Sequence, residues 1–233
     1  MKKFKKPLIL SSFLIFLLVV LIIFPLPKNI ATALLNITLN NFLPNSEVKA
    51  KEPKLFIFSR FEAKQLRILT DKERLAEFHS INFTYSPLFV FSGYGRINVT
   101  SGDFAISQTT GVNKFLGFLS NVLDLDLEEK LTFKNLLLKA DVKKRKITID
   151  VLEANGDDFK IKAQGYLIGK EKIDFDVDIF LSEDITKDMS EEAKNFLLEE
   201  RKSNFSKIGI KICGQPQRPV YRIKVGFLKL DVD

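Results

Sequence analysis

The sequence has few of the residues that form disulfides, metal sites and most catalytic centres. It contains one cysteine, Cys213, one histidine, His79, and no tryptophan. A single cysteine excludes an intramolecular disulfide, and a zinc site usually needs three or four cysteine or histidine ligands. We therefore interpret Cys213 as a small apolar residue of the core.

Signatures of catalysis are also missing. The chain has no nucleophile elbow and no phosphate-binding loop, and a histidine-based triad could be built only around His79. We therefore expect a protein that is not an enzyme, with no catalytic residues, no bound metal and no cofactor.

Acidic residues are absent from the first 28 residues, which contain Lys2, Lys3, Lys5, Lys6 and Lys28. The whole chain has a formal charge of +7, from 36 basic and 29 acidic residues. Beyond residue 28 the two signs nearly balance, with 31 basic residues against 29 acidic ones. A nucleic-acid-binding domain concentrates basic residues on its folded part, so we expect no nucleic-acid partner.

Charge is absent as well from residues 8–24, which read LILSSFLIFLLVVLIIF. As a helix this run would be about 26 Å long, close to a hydrocarbon thickness of about 30 Å. Because lysines are retained on the cytoplasmic side, the four lysines before it predict a cytoplasmic N-terminus. Residues 1–27 are thus predicted to form the cytoplasmic lysines and a transmembrane anchor that contacts the bilayer through residues 8–26.

A cleaved signal peptide is the alternative to a retained anchor. Ala31-Thr32-Ala33 fits a small-x-small cleavage site. The site lies well past the apolar run, however, and the run is longer than a usual signal core of about 7–15 residues. The sequence therefore favours the retained anchor.

Residues 28–52 are predicted to form an amphipathic helix and a linker. Ile30, Ala33, Leu34 and Ile37 recur at near-helical spacing. Such a helix would either lie against the membrane surface or be the first helix of the core, and both alternatives stay open. We interpret residues 40–53 as a connection.

Residues 53–233 change to a hydrophobic period of two, which predicts a mainly β domain. Residues 96–107 are predicted to form a hairpin with its turn at Ser101-Gly102-Asp103. Helical spacing interrupts the strands at residues 113–123 and again at residues 186–202. We expect both of these helices to pack on the sheet.

Two further hairpins have registers that can be predicted from the sequence. The first surrounds the basic turn at residues 143–146. It pairs apolar residues on one face, Val142 with Ile147, Ala140 with Ile149, and Leu138 with Val151, and it sets Lys139 opposite Asp150 on the other face. The second, around Gly169, pairs apolar residues on one face and opposite charges on the other: Phe159 with Ile179, Ile161 with Val177, Ala163 with Phe175, Lys160 with Asp178, and Lys162 with Asp176. Each cross-strand charge pair would contribute roughly 0.2–1 kcal/mol.

Asp174, Asp176 and Asp178 raise the alternative of a calcium site. They alternate along a strand, about 6.5–7 Å apart, without the tight loop that gathers calcium ligands. We therefore favour a solvated face whose aspartates pair with lysines.

Alternating strands and glycines form a recognisable pattern in four segments: Leu131-Thr132-Phe133-Lys134-Asn135-Leu136, Ile147-Thr148-Ile149, Phe159-Lys160-Ile161-Lys162-Ala163-Gln164-Gly165-Tyr166, and Ile173-Asp174-Phe175-Asp176-Val177-Asp178. In this pattern residues 131–181 resemble the C-terminal AsmA-like region of a family of bacterial envelope proteins. The tail at residues 210–214 is similar to that family's closing strand. The GspN-type component of secretion systems shares this pattern and is of comparable size.

The resemblance implies an N-terminal transmembrane helix followed by a curved antiparallel β-sheet, with a half-open groove and two or three packing helices. It implies a bacterial inner-membrane protein whose C-terminal domain, residues 53–233, is periplasmic and acts in envelope biogenesis. Phospholipid or glycolipid would then bind an apolar groove lined by Ile147, Ile149, Val151, Phe159, Ile161, Phe175, Val177 and Ile179.

Two alternatives to this lipid groove stay open. The same eight residues would form ordinary core if helices cover them. A GspN-like structural component of a type II secretion system would instead bind other envelope or secretion proteins.

Overall fold

The computed structural model describes residues 24–42, 45–57, 59–70, 73–87, 94–107, 130–169, 171–187, 189, 191, 194–195, 198, 200–202, 204–225 and 228–232. Residues 1–23, which hold most of the predicted anchor, and the predicted helix at residues 113–123 lie outside them. Among the described residues, no helix is both long and apolar enough to span a bilayer.

The described part of the chain is mainly β, as predicted, with fourteen strands in one open antiparallel sheet. Two helices have described bounds, α1 at Lys28–Phe42 and α2 at Glu183–Thr186. The strands are β1 Ser46–Phe56, β2 Arg60–Thr70, β3 Glu73–Tyr85, β4 Gly95–Ser101, β5 Phe104–Ser107, β6 Lys130–Phe133, β7 Asn135–Lys143, β8 Lys146–Asn155, β9 Phe159–Ile168, β10 Lys172–Ser182, β11 Glu200–Lys202, β12 Phe205–Gln215, β13 Arg218–Val225 and β14 Leu228–Val232.

Strand order follows chain order along most of the sheet: β1-β2-β3-β4-β7-β8-β9-β10-β12-β13-β14. Strand β5 pairs with β3 and β6, and β11 pairs with β12. Most neighbouring strands on this path are joined by short connections, but residues 102–134 separate β4 from β7 and residues 183–204 separate β10 from β12. Strands β1 and β14 are the outer strands of the path.

The two sides of the sheet differ in polarity because side chains alternate along each strand. On β10, Ile173, Val177 and Ile179 are buried on one side, whereas Asp174 and Asp176 lie on the other. We call these sides the apolar face and the polar face. The strand registers carry the same division across β4, β7, β8, β9 and β12.

Two groups of buried side chains lie in the domain. The main core is Phe104, Leu131, Phe133, Ala154, Val177, Ile179, Leu181, Met189, Ile208, Ile210 and Ile223. The small core is Val48, Phe61, Ala63 and Leu66. Phe78 packs against both cores, so it joins them.

The predicted hairpin at residues 96–107 is wrong, although both of its strands exist. Strand β4 and strand β5 lie end to end along β3, with Ser101 opposite Ile81 and Phe104 opposite Phe78. Between them, the Gly102 N–H donates to the Ser80 carbonyl oxygen over 3.3 Å. The turn-forming residues therefore bend a continuing chain instead of reversing it.

The β7–β8 hairpin follows the predicted register only near its turn. Val142 pairs with Ile147 and Ala140 with Ile149, as predicted, but Leu138 pairs with Leu152 instead of Val151. The register shifts because Asp150 is an extra residue on β8, as in a β-bulge. Lys139 consequently lies opposite Val151 and not opposite Asp150.

The β9–β10 hairpin keeps the predicted faces but moves every partner by two residues. Ile161 pairs with Ile179, Lys162 with Asp178, and Gly165 with Phe175. Gly165 has a φ of 150°, and a Cβ atom there would lie only 2.7 Å from the Phe175 Cα. The close approach of Phe175 thus requires glycine opposite it, which the predicted partner, Ala163, would not satisfy.

The predicted helix at residues 186–202 is wrong at both ends: α2 ends at Thr186, where the prediction begins, and residues 187 and 189 are not helical. Glu191, Lys194 and Asn195 are helical, but residues 200–202 form β11, which pairs with residues 205–207 of β12. The tight return at Asn204 allows this pairing, and periodicity alone does not reveal it. Met189, which follows α2, is buried in the main core.

The predicted connection at residues 40–53 contains the end of α1 and most of β1. Helix α1 itself matches the helix expected at its start. Strand β1 forms here because Val48 packs into the small core while Glu47 and Lys49 stay exposed. Two bulges interrupt its pairing with β2, between Lys49 and Lys54, and they obscure the alternation in the sequence.

Candidate functional site

Five of the eight predicted groove residues belong to the interior. Val177 and Ile179 are buried in the main core, with exposed fractions of 6% and 1%. Phe159, Ile161 and Phe175 are half-buried and pack against that core. Ile185 and Leu198, from the segment after β10, pack against it as well. These five residues stabilise the fold and leave little surface for a ligand.

Val151 lies on the other side of the sheet from the remaining candidates. The extra residue at Asp150 places Val151 opposite Lys139, whereas Ile149 and Leu152 stay on the apolar face. Predicting this side chain correctly would have required knowledge of the bulge.

Ile147 and Ile149 remain as candidate site residues. Both are half-buried, and neither belongs to the main core or the small core. Ile147 lies between Val142 on β7 and Leu167 on β9, and Ile149 lies between Ala140 and Gly165. Several neighbouring apolar residues on this face are half-buried too, whereas Val99, Ala140 and Ile173 beside them are buried. Together we call them the half-buried strip: Ile97, Leu138, Val142, Ile147, Ile149 and Leu167.

The strip contains residues that the sequence prediction had not assigned to a site. The sequence places Leu138, Val142 and Ile97 only in predicted hairpins and gives Leu167 no role. Following the register outward from Ile147 would have found Val142 and Leu167, because directly paired residues share a face of the sheet.

A basic turn ends the strip on one side. Lys143, Lys144, Arg145 and Lys146 connect β7 to β8, and all four are exposed. Lys144 holds a positive φ of 51°, as the tight reversal requires. Arg145 lies 3.8 Å from Glu171, both side chains being largely exposed, so this pair neutralises little of the turn. An apolar strip that ends at a basic turn, with Lys144 and Arg145 at its tip, matches the two parts of an anionic amphiphile.

Tyr166 adds an aromatic ring to the polar side of the same end. Lys146 Nζ lies 4.7 Å from the centre of the Tyr166 ring, and Lys172 Nζ lies 5.5 Å from it. Hydrogen bonding to Tyr166 raises the pKa of Lys172. The cationic charge of Lys172 is therefore retained beside the turn.

The aspartates of β10 are paired with lysines, as the sequence analysis favoured, but these lysines come from β12 and β13 and not from β9 as predicted. Lys211 on β12 contacts both Asp174 and Asp176, Lys224 Nζ lies 2.8 Å from Asp176, and Lys207 Nζ lies 3.3 Å from Asp178. The predicted partner Lys160 instead lies over the Phe205 ring, 3.7 Å from its centre. Within the described residues no group of acidic, histidine or cysteine side chains is arranged to hold a metal.

These contacts shift the pKa values of Asp174, Asp176 and Lys211. A hydrogen bond from Lys211 lowers the pKa of Asp174. Burial acts to raise the pKa of Asp176, but hydrogen bonds from Lys224 and Lys211 outweigh it and lower that pKa. The bond to Asp174 raises the pKa of Lys211. The polar face is thus a network of mutually stabilised charges.

A cleft of about 400 Å³ lies where β3, β5 and β6 meet. His79, Asp103, Lys134 and Asp157 line its polar part. Lys134 Nζ forms an ion pair with Asp157 over 2.5 Å, and both side chains are mostly exposed. The cleft thus brings the lone histidine near charged groups.

Comparison of the chain with protein-family models, with curated proteins and with solved structures finds no match. A functional assignment therefore depends on the geometry of the half-buried strip and the basic turn.

Proposed function

We propose that the protein is a non-enzymatic, AsmA-like component of the bacterial envelope that binds lipid on the half-buried strip. Residues 8–26 anchor it in the inner membrane, its N-terminus is cytoplasmic and its β domain is periplasmic. The lysines before residue 8 support the orientation, and the antiparallel meander of residues 135–182 fits the resemblance to AsmA-like proteins.

The observation that carries this proposal is the meeting of the half-buried strip with the basic turn. An acyl segment that covered about 200 Å² of the strip would contribute about 5 kcal/mol. Loss of translational and rotational freedom would offset part of that gain. The cations at residues 143–146 would then hold an anionic headgroup, so a phospholipid or glycolipid with a negative charge fits best.

The sheet is too short to carry lipid across an envelope by itself. Its main path has eleven strands, and a spacing of about 4.8 Å between strands gives a width of about 50 Å. We therefore propose that the protein handles lipid close to the inner membrane, or passes it to another envelope protein.

Site-specific photo-crosslinking in intact membranes tests the proposal. A small diazirine amino acid replaces Ile149 on the strip, and in a matched variant it replaces Thr148, which lies next to it on the polar side of β8. After irradiation, mass spectrometry of the peptide containing β8 detects any added lipid. We expect a lipid adduct at position 149 and several-fold less at position 148.

Equal labelling at both positions, or no lipid adduct at position 149, would contradict the proposal. Far-UV circular dichroism of both variants checks that the sheet is intact. Crosslinking in intact membranes also avoids a false signal from lipid that co-purifies with the membrane anchor after detergent extraction.

A GspN-like role as a structural component of a secretion system is the second candidate. The open edge of the sheet favours it: among the described strands, β14 pairs only with β13. An outer strand can accept a strand from another protein. A diazirine at position 229 of β14 would then yield a protein adduct, whereas lipid binding on the strip predicts none there.

A further inference from the structure

Helix α1 uses one side to hold the edge of the sheet. Ala31 is fully buried, and Leu35 packs against the small core. The Val48 N–H donates to Asn36 Oδ1 over 2.5 Å, and the Ser46 N–H donates to Asn40 Oδ1 over 3.0 Å. The side chains that dock α1 on β1 are thus apolar residues and two asparagines.

The opposite side of α1 is apolar as well, yet it faces solvent. Ile30, Leu34 and Ile37 are 50%, 43% and 62% exposed, and Ala33 between them is exposed. Residues at these positions lie on one stripe of a helix, since i, i+3, i+4 and i+7 share a face. We call them the outer stripe of α1. No residue from Asn29 to Phe42 is charged.

We propose that the outer stripe of α1 lies in the headgroup–acyl boundary of the same bilayer that holds residues 8–24. This inference rests on the membrane anchor of the proposed function. It adds a second contact with the membrane, one that fixes how the β1 end of the sheet is held.

The path of the chain brings the stripe to the membrane. The apolar run ends at Phe24, whose side chain is 61% exposed, and α1 begins at Lys28. Four residues span at most about 14 Å. The Leu26 N–H donates to the Leu55 carbonyl oxygen over 2.8 Å, so this short connection is fixed to β1. A bilayer that ends near Phe24 is therefore within reach of the first turns of α1.

The size and charge of the stripe fit a lipid surface better than a protein. From Ile30 to Ile37 it is about 10 Å long, whereas a stable protein interface buries about 800 Å² on each partner. An interfacial helix buries its apolar face about 5–10 Å into the headgroup–acyl boundary, and residues 29–42 contain no acidic group that anionic headgroups would repel. Exposed Lys28 at the start of α1 supplies a positive charge for anionic headgroups.

Fluorescence quenching in vesicles tests the inference with the full chain. Cys213→Ala provides a background without cysteine, and single variants Leu34→Cys, Glu47→Cys and Phe16→Cys carry an environment-sensitive NBD dye. Leu34 is on the outer stripe, Glu47 is an exposed residue of β1, and Phe16 is in the apolar run. The vesicles combine phosphatidylethanolamine with phosphatidylglycerol. One set contains lipid with a nitroxide close to the headgroup, for the dyes on α1 and β1, and a second set contains lipid with a nitroxide deep on the acyl chain, for the dye at position 16.

We expect the dye at position 34 to emit at shorter wavelength and to be quenched several-fold more strongly than the dye at position 47. The dye at position 16 reports on the anchor separately. Quenching at position 16 but not at position 34 would overturn the inference and leave the anchor in place. No quenching at position 16 would overturn the anchor, and with it both proposals.

A dye at position 34 that is shielded from water but not quenched by the nitroxide lipid would also overturn the inference, because a protein would then cover the stripe. Circular dichroism of each labelled variant checks that the fold is retained. Labelling at Thr32, a half-buried residue on the side of α1 that faces away from the outer stripe, provides a control within the same helix, and we expect weaker quenching there than at position 34.

Discussion

Lys211 is the residue on which the polar face depends most directly. Its ammonium group contacts Asp174 and Asp176, and Asp176 also contacts Lys224. The side chains of Lys211 and Asp174 are 31% and 25% exposed, so solvent screens their attraction only in part. Without Lys211, Asp174 would lose the contact that lowers its pKa.

We predict that Lys211→Met lowers the free energy of unfolding by about 1 kcal/mol at neutral pH. The folded-state pKa values of Asp174 and Asp176 are lowered, so their contribution is complete above the unfolded-state pKa of about 4. It is lost as pH falls through the folded-state values. The raised pKa of Lys211 means that its contribution persists below about pH 10 and is lost as pH rises through its folded-state pKa.

Urea denaturation followed by far-UV circular dichroism at several pH values measures this effect. The difference between the wild type and Lys211→Met should disappear in acid, where the carboxylates are protonated. Lys49→Met is the matched control, because Lys49 and Glu47 are more than half exposed, and we expect little change from it. A loss in Lys211→Met that persists in acid would show that its aliphatic packing matters instead.

At the scale of secondary-structure elements, the attachment of α1 to β1 depends on asparagine side chains. Val48 is 6% exposed, and its N–H is on the outer edge of β1, where Asn36 Oδ1 accepts its hydrogen bond. A buried donor left without an acceptor costs about 1–3 kcal/mol, so this bond stabilises the attachment of α1. Because the bond occupies an N–H on the outer edge of β1, it also protects that edge from pairing with other chains.

We predict that Asn36→Ala loosens α1 from the sheet and increases hydrogen exchange of the peptide containing β1, as measured by mass spectrometry. The free energy of local opening should fall by about 1–3 kcal/mol. Asn29→Ala is the control, since Asn29 is an exposed residue of the same helix. Equal exchange in the two variants would contradict a role for the Asn36–Val48 bond.

The alternation of apolar and polar residues predicts the strands well, but it predicts their partners only in part. A shift by two residues leaves every face unchanged, so alternation could not distinguish Gly165 from Ala163 as the partner of Phe175. The turn chemistry at Ser101-Gly102-Asp103 misled the prediction, since the same residues can bend a strand that continues along β3. Pairing between distant strands decides such cases, and local sequence does not report it.

The candidate site is predicted from sequence less completely than the strands. Ile147 and Ile149 were selected correctly as residues of the apolar face, but alternation cannot separate them from Val177 and Ile179 in the main core. Whether a residue of the apolar face belongs to the core or to the half-buried strip depends on which part of that face other segments of the chain cover. The basic turn at residues 143–146 was visible in the sequence, yet its position at the end of the half-buried strip follows only from the register of β7, β8 and β9.

At the scale of the whole molecule, three stacked phenylalanines connect the two cores. The rings of Phe78 and Phe104 are 5.4 Å apart, and those of Phe104 and Phe133 are 4.8 Å apart. Phe104 and Phe133 belong to the main core, and among the described residues only Phe78 packs against both cores. Cooperative unfolding of the sheet should therefore depend on Phe78 more than on its neighbours.

We predict that Phe78→Ala lowers the free energy of unfolding by about 3 kcal/mol and separates unfolding into two steps. Strands β1 and β2 would lose protection first, because the small core has few buried side chains of its own. Hydrogen exchange of peptides from β2 and β12 measures the two halves separately as urea is added.

Phe83→Ala is the matched control: Phe83 packs against the small core alone, so its loss should weaken β2 without uncoupling it further from β12. If Phe78→Ala unfolds in one step, with β2 and β12 losing protection together, the hydrogen-bonded ladder from β3 to β10 is sufficient to couple the two cores, and the phenylalanine stack adds stability alone.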